Sequence, residues 1–534
     1  MTFTFTRRAA LAAGALLVTT ALGGPAAIAP AAAQSDPATL TVITRLTDTS
    51  FDPAFHFAEY DAMDIINLYE PLVYPQKGAA PIGALAESWE SPDAKVWTFK
   101  LRRNVKFHDG KPLTAKDVVY SMDRMLTINK GYAYLWVGIL KAGGTAAVDD
   151  HTVRFTLEKP FGPFVDTLVQ FFVLNSELVK ANTAKEGPYA ANGDYGTAFL
   201  KKADAGSGPY ALAEVVPDSR RAYKKFDGYW GGWKDKQFNR VVVQIVGEAA
   251  TARELIAKGD VDFVDQWQPV DFYKNVARET KVTVPETPDM KLYFIQMNTQ
   301  KPPLDDVNFR RAIAHAFDYK TAVEQIMGGA VLGQGPIPSS MPGFDPSTPK
   351  AATDLAKAKE FLAKSKYKPD QYVLEYNFIK AGVHEPMSLL FQANMAQLGI
   401  KVEIKTEQWP VLSKNAAKPD TAPHFFPVYN TAKYPSPDAY THAMYHPQSH
   451  GGWQAASHYS NPTVTKMIDD ARATADATKR NKLFADAAKI VVDEAPALWV
   501  AYPYHRVAVN KRVKNYQHIG VMAFDLRAYN LRYE

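Results

Sequence analysis

Helix-type and strand-type patterns alternate along most of this chain, and that alternation limits the fold more than any other feature. ATARELIAKGDVDFVD (250–265) is the clearest unit. Its apolar residues follow a helical period up to Gly259, where a left-handed cap is expected, and a short apolar strand follows. Farther on, LAKAKEFLAKS and EPMSLLFQANMAQLG read as amphipathic helices, and the strand KVEIKTEQW closes a second such unit. Repeated helix–strand units predict an α/β architecture. The chain has 534 residues, more than a single core usually holds, so two or three domains are expected.

Other stretches fill in this outline. TLTVITRL, VWTFKLRR, DHTVRFTLE, YALAEVV, RRAYKKF and RVVVQIV read as strands. In TAKDVVYSMDRML, Thr114 caps a helix and Asp117 completes part of a capping box. The Gly-rich stretch 186–210 reads as a segment boundary, and GGAVLGQGPIPSSMPGFDP as a Gly/Pro loop. VNFRRAIAHAFDYKTAVEQIM reads as two consecutive helices, and 462–495 as two more. The strands KLYFIQMN and ALWVAYPY are read as crossovers, one leading into a second α/β lobe and the other returning from it. Lobes joined this way can hinge shut around a ligand.

The first 33 residues are read as an export signal. Arg7 and Arg8 precede an apolar run from Leu11 to Leu22, too short for a comfortable span, and Ala31 to Ala33 form a small-residue cleavage pattern. The arginine pair fits a twin-arginine signal, and a general secretory signal remains the alternative. Removing the two arginines takes the formal charge from +5 to +3. Such a small excess, with no dense basic run in the mature part, gives no case for nucleic acid. The chain has no cysteine, so no disulfide, thiolate metal site or lipidated cysteine is available. With no second hydrophobic span, a periplasmic protein without a membrane anchor is expected.

Sequence motifs for chemistry are missing. The chain contains no G-x-x-x-x-G-K-[ST], no H-E-x-x-H and no G-x-S-x-G, so no catalytic residues and no cofactor are assigned. GGAVLGQG lacks dinucleotide-binding spacing. THAMYHPQSHGGWQAASHY carries His442, His446, His450 and His458. These read either as a transition-metal site or as a polar loop; no carboxylate or cysteine interleaves, and no metal ligand is assigned. Aromatic residues make up 12% of the chain, which serves either a larger core or a ring-lined ligand cleft.

Four stretches carry a family resemblance: LAESWESPDAKVWTFKLRRNVKFHDGKPLTAKDVVYSMDRM (85–125), GSGPYALAEVVPDSRRAYKKFDGYW (206–230), ARELIAKGDVDFVD (252–265) and LDDVNFRRAIAHAFDYKTAVEQIMGGAVLGQGPIPSSMPGFDP (304–346). Together they resemble the family 5 solute-binding proteins of bacterial ABC importers, the peptide, nickel and opine class. The resemblance implies a two-lobe periplasmic-binding-protein fold (type II, cluster C) with an extra subdomain. Lobe I would comprise 35–66, 200–292 and 499–534, the subdomain 67–199 and lobe II 293–498. A monomer would close on a small-molecule or peptide ligand and present it to a membrane permease served by a separate ATPase. A nickel-chelate-binding member of the same family is one alternative, and a secreted hydrolase is another from a different class.

The resemblance also nominates ligand contacts. The loop VYNTAKYPSPDAY (428–440) stands where peptide-binding members carry an aspartate for the peptide's α-ammonium, and here that position is Lys433. A lysine there would repel a free amino terminus and suit a carboxylate or phosphate. Alternatively the lysine reaches solvent, or Asp438 supplies the acid from nearby. Asn430 and Thr431 precede it. Tyr293 and Gln296 lie on the outgoing crossover and Tyr502 on the return. Asp265, Gln266 and Trp267 end a lobe I segment, and Phe57 and Glu59 lie in the first loop. Lys380, His384 and Trp409 come from lobe II, and Tyr132 and Trp136 from the subdomain. Each aromatic has core packing as its alternative. For Trp409 that alternative is stronger, because family members often hold a structural tryptophan there.

Overall fold

The strand Thr39–Thr44 is buried along almost its whole length, as expected of a central parallel strand covered on both faces. It pairs in parallel with Arg240–Ile245 on one side and Phe263–Val264 on the other. Antiparallel strands extend this first sheet to seven, in the order 282–283, 508–510, 263–264, 39–44, 240–245, 220–225, 210–216. Leu40 and Val42 face the main core, while Ile43 faces a smaller one formed with the helix Ala249–Lys258. That helix buries Ala252 and Ile256, four residues apart on one stripe, and stops at Gly259, whose φ of +91° gives the expected left-handed cap. This computed structural model describes residues 36–45, 50–56, 59–521, 524 and 526–534, without the side chains of 59–62. The expected export signal and Phe57 lie outside the described residues, as does the Glu59 side chain.

A second sheet has the order 286–288, 497–506, 291–297, 425–431, 373–378, 401–406, with 330–332 paired onto the 497–506 strand. Both crossovers belong to it: Lys291–Met297 runs antiparallel to Ala497–Arg506. Alternation assigns their faces. Leu292 and Phe294 point into the main core, whereas Tyr293, Ile295 and Met297 join a second core that also takes residues of the helices Val307–Ala316 and His384–Ala396. Ala330–Leu332 corrects the reading of GGAVLGQG as pure loop. The three residues pair with Ala501–Pro503, a partner remote in sequence, and so short a strand carries no alternation of its own.

A third sheet of four strands, in the order 86–90, 96–101, 152–156, 145–149, packs with the helix Ala115–Ile128. The Thr114 N–H and hydroxyl donate to the Asp117 carboxylate at 2.9 and 3.0 Å, as the capping-box pattern predicts. From the same helix, Arg124 donates to both carboxylate oxygens of Asp52 at 2.7 and 2.5 Å and to the Tyr195 carbonyl at 2.9 Å. Both charged side chains are at most 1% exposed. The pair thereby ties the 50–56 segment to this helix.

Arg124→Met should lower the unfolding free energy by about 3–5 kcal/mol, because it leaves a buried carboxylate without its cation. Adding Asp52→Asn should recover part of that loss. Guanidinium denaturation of both variants checks this, and a single variant as stable as the parent would refute it.

Candidate functional site

The parallel strands of the first sheet end side by side at Arg45 and Asp265. The Asp265 carboxylate accepts the Arg45 N–H at 2.9 Å and the Trp267 N–H at 3.3 Å, and burial raises its pKa. The next two residues reach toward the crossovers. Gln266 Oε1 lies 3.1 Å from His505 Nδ1 on the return strand, and the Lys291 ammonium of the outgoing strand sits 5.9 Å from the Trp267 ring centre. Around this junction Thr44, Asp265, Gln266, Trp267 and His505 help line a cavity of about 40 Å³. A larger cavity, about 670 Å³, lies against the 210–225 hairpin, and none of the expected ligand residues with described side chains lines it.

Just before the outgoing strand, Asp289 meets two histidines. Its carboxylate lies 3.1 Å from His518 Nε2 and 3.6 Å from the Lys291 ammonium. The His518 ring stacks on His505 with centroids 3.7 Å apart and planes 2° from parallel. Burial acts to raise the Asp289 pKa, but His518 and Lys291 outweigh it and hold the carboxyl well below the usual range. One donor atom from each of Asp289, His505 and His518 falls within 4.8 Å of the others, close enough to raise the question of a metal. Imidazole lone pairs lie in the ring planes, and two stacked parallel rings direct theirs into separate planes. The arrangement therefore serves as a carboxylate–imidazole pair stacked on a second imidazole, with His505 also 3.0 Å from the Tyr516 hydroxyl.

The Lys433 loop leaves the second sheet at the end of Phe425–Thr431. Lys433 is half-buried; its ammonium donates to the Thr431 carbonyl at 2.7 Å, and its own carbonyl accepts the Gln170 amide at 2.7 Å. Strand register sets Lys291 opposite Thr431, so two lysines flank this strand end. Asp438 is engaged elsewhere: the Tyr434 hydroxyl donates to it at 2.9 Å, and Arg472 Nε lies 3.3 Å away.

Other expected contacts have partners within the protein. The Tyr293 hydroxyl lies 3.3 Å from His384 Nδ1, and burial lowers that histidine's pKa to about 4. Tyr293 belongs to the second core, which holds no first-sheet residue. Gln296 donates to the Trp453 carbonyl and accepts from the Ser457 N–H, both at 3.1 Å. Asn430 accepts the Gln454 amide at 3.1 Å. The Tyr502 hydroxyl accepts the Gln334 N–H and donates to the Gly335 carbonyl, both at 3.0 Å. Tyr132 packs edge-on to His56, while Trp136 donates to Thr167 at 3.0 Å. Trp409 stacks on Phe426 and meets Trp453 edge-on, and the Lys380 side chain is largely exposed beside Glu385.

The histidine-rich loop divides into two pairs. His442 stacks on His446 at 4.6 Å, while His450 meets His458 edge-on at 5.7 Å. Burial and the nearby Arg472 push His442 down to about 2. Among the described residues, these four histidines form no set of three converging donors. Asp289, Lys291, His505, His518 and Gln170 were absent from the sequence-derived set. Asp289 and Lys291 adjoin on one segment, but His505, His518 and Gln170 come from others far along the chain, and no motif spacing links them.

Two sheets joined by a double crossover are the architecture expected of a solute-binding class of protein. The profile of the bacterial extracellular solute-binding proteins, family 5 Middle, matches residues 80–452. The probable D,D-dipeptide-binding periplasmic protein DdpA of Escherichia coli (strain K12) is 32% identical over 498 residues, 91% of this chain and 93% of that protein. Heme-binding protein A of Haemophilus influenzae is 28% identical over 476 residues, 84% of each chain. The solved structure of HbpA2 from Haemophilus parasuis superposes with a TM-score of 0.81 at 25% identity, covering 93% of this chain and all of that one. The chain belongs to the family 5 bacterial extracellular solute-binding proteins. No helix among the described residues is long and apolar enough to cross a membrane.

Because the folded-state pKa of Asp289 is depressed, its contribution to stability is present above the unfolded carboxylate value near 4 and is lost as pH falls below it. Asp289→Asn should destabilise the protein at pH 7 by about 3 kcal/mol. The gap between variant and parent should narrow below about pH 4. Denaturation from pH 3 to 8 checks this, and a gap independent of pH would refute it.

Proposed function

We propose that this chain is a periplasmic receptor that captures a peptide-like solute bearing an anionic group and delivers it, chemically unchanged, to an ABC permease driven by a separate ATPase. Family membership supports the transport role. The relatives' names support the solute class: one is described as a D,D-dipeptide-binding and another as a dipeptide-binding protein. In this reading lobe I is 35–66, 200–292 and 499–534, lobe II is 293–498, and 67–199 is an accessory subdomain. The protein works as a monomer, and ligand favours the closed state because only there does it touch both lobes. The junction cavity of about 40 Å³ is far below the several hundred Å³ typical of a ligand site, so the surfaces must part for a peptide to enter.

The observation that carries the ligand chemistry is Lys433. By the family resemblance it takes the position of an acid, and it follows a strand end where Lys291 lies opposite Thr431. An ammonium brought against these two groups would be repelled in a poorly solvated space, whereas a carboxylate or phosphate would be held. The peptide's C-terminal carboxylate is the simplest such group.

Calorimetry with D-alanyl-D-alanine, its C-terminal amide and its N-acetyl form tests this. The free carboxylate should be required and the free amine dispensable. Lys433→Asp should weaken binding of the carboxylate form at least tenfold, about 1.4 kcal/mol. Equal affinity in that variant would remove Lys433 from the site, and recovery of an altered solute would overturn the binding role.

A further inference from the structure

Asp166 and Gln170 lie four residues apart on the consecutive helical turns Phe164–Thr167 and Leu168–Gln170, the spacing that sets two side chains on one face. Both reach residues of the second-sheet half of the molecule. Gln170, 1% exposed, donates to the Lys433 carbonyl at 2.7 Å. Asp166 meets Arg480 at 3.2 Å, with both side chains buried. Arg480 also donates to the Ala475 carbonyl at 2.8 Å, which fixes the turn ahead of the helix Ala477–Glu494.

Upstream, the same segment reaches the far end of the Lys433 loop. The Gly162 N–H donates to the Arg472 carbonyl at 2.6 Å. The Arg472 guanidinium lies over the Phe161 ring at 4.8 Å, while its Nε approaches Asp438 at 3.3 Å. A Cβ on Gly162 would fall 1.9 Å from the Thr474 carbonyl oxygen, so only glycine permits this approach. Residues 161–170 thus touch the loop at its start through Lys433 and, through Arg472, at its end at Asp438.

We infer that segment 161–170 positions the Lys433 loop, Gln170 through the Lys433 carbonyl and Asp166 through Arg480, whose helix packs on the helix Asp438–Tyr445 at the loop's end. Buried ion pairs add little net stability but fix orientation, because a misplaced partner leaves a charge unpaired. A side-chain amide on the Lys433 carbonyl restrains the backbone from which the ammonium projects. Its role toward ligand rests on the reading of Lys433 above; the positioning itself does not.

Gln170→Met keeps length and volume but removes the donor, and Asp166→Asn removes the charge with little change of shape. Hydrogen exchange on the protein without added solute should show the amides of 431–438 exchanging about tenfold faster in each variant, with the strands Thr39–Thr44 and Val373–Phe378 unchanged. A packing role alone would tolerate Met and leave the loop protected. Unchanged exchange across 431–438 in both variants would overturn the inference. So would equal acceleration throughout the protein, which would mark the segment as general support. Neither result decides whether Lys433 meets solute, which Lys433→Asp addresses separately.

Discussion

The antiparallel pairing of Lys291–Met297 with Ala497–Arg506 is the constraint on which the rest of this structure depends. The chain leaves the first sheet by one of these strands and returns by the other, so the covalent path into and out of residues 298–496 runs through this pair, while segment 161–170 holds the same residues from another side. The return strand continues to Ala508–Asn510, which pairs with both Phe263–Val264 and Val282–Thr283 of the first sheet. One stretch of chain therefore serves two sheets, and the side chains at its turning point come from both. That is why Gln266, Asp289, Lys291, His505 and His518 meet there although they are scattered over the sequence.

With no cysteine to cross-link it, the protein relies on its cores and on a few buried ionic contacts to fix orientation. Arg124–Asp52, Arg221–Asp64 and Asp166–Arg480 each link segments that sequence separation alone leaves free to pack elsewhere. Such pairs offset their own desolvation only when the geometry is complete. Arg124 has that geometry, with two bonds to one carboxylate and a third to a carbonyl. The same logic operates at the loop carrying Lys433, whose backbone is held by a neutral amide and whose flank is held by charged pairs.

Local features were legible wherever one residue type dictates one conformation. Gly259 ends its helix in the left-handed region, and Thr114 with Asp117 starts another, both as their sequence contexts require. Ala330–Leu332 was missed because a three-residue strand has no periodic signature and gains its pairing only from a remote edge. At the candidate site, Lys433 was nominated from the sequence through the family resemblance, but Gln170, which donates to its carbonyl, was not. The sequence also offered Asp438 as a nearby acid, whereas folding gives that carboxylate to Tyr434 and Arg472.

The sequence by itself determined the α/β character, the crossover strands and the family, because periodicity, capping and motif order are properties of contiguous residues. Tertiary structure alone decided which face of each crossover strand meets which core, and which side chains converge at the junction. Tyr293 and Leu292 are neighbours of similar burial, yet alternation sends them into different cores. Which core each one enters depends on the sheets and helices stacked against that strand, and those partners lie far away along the chain.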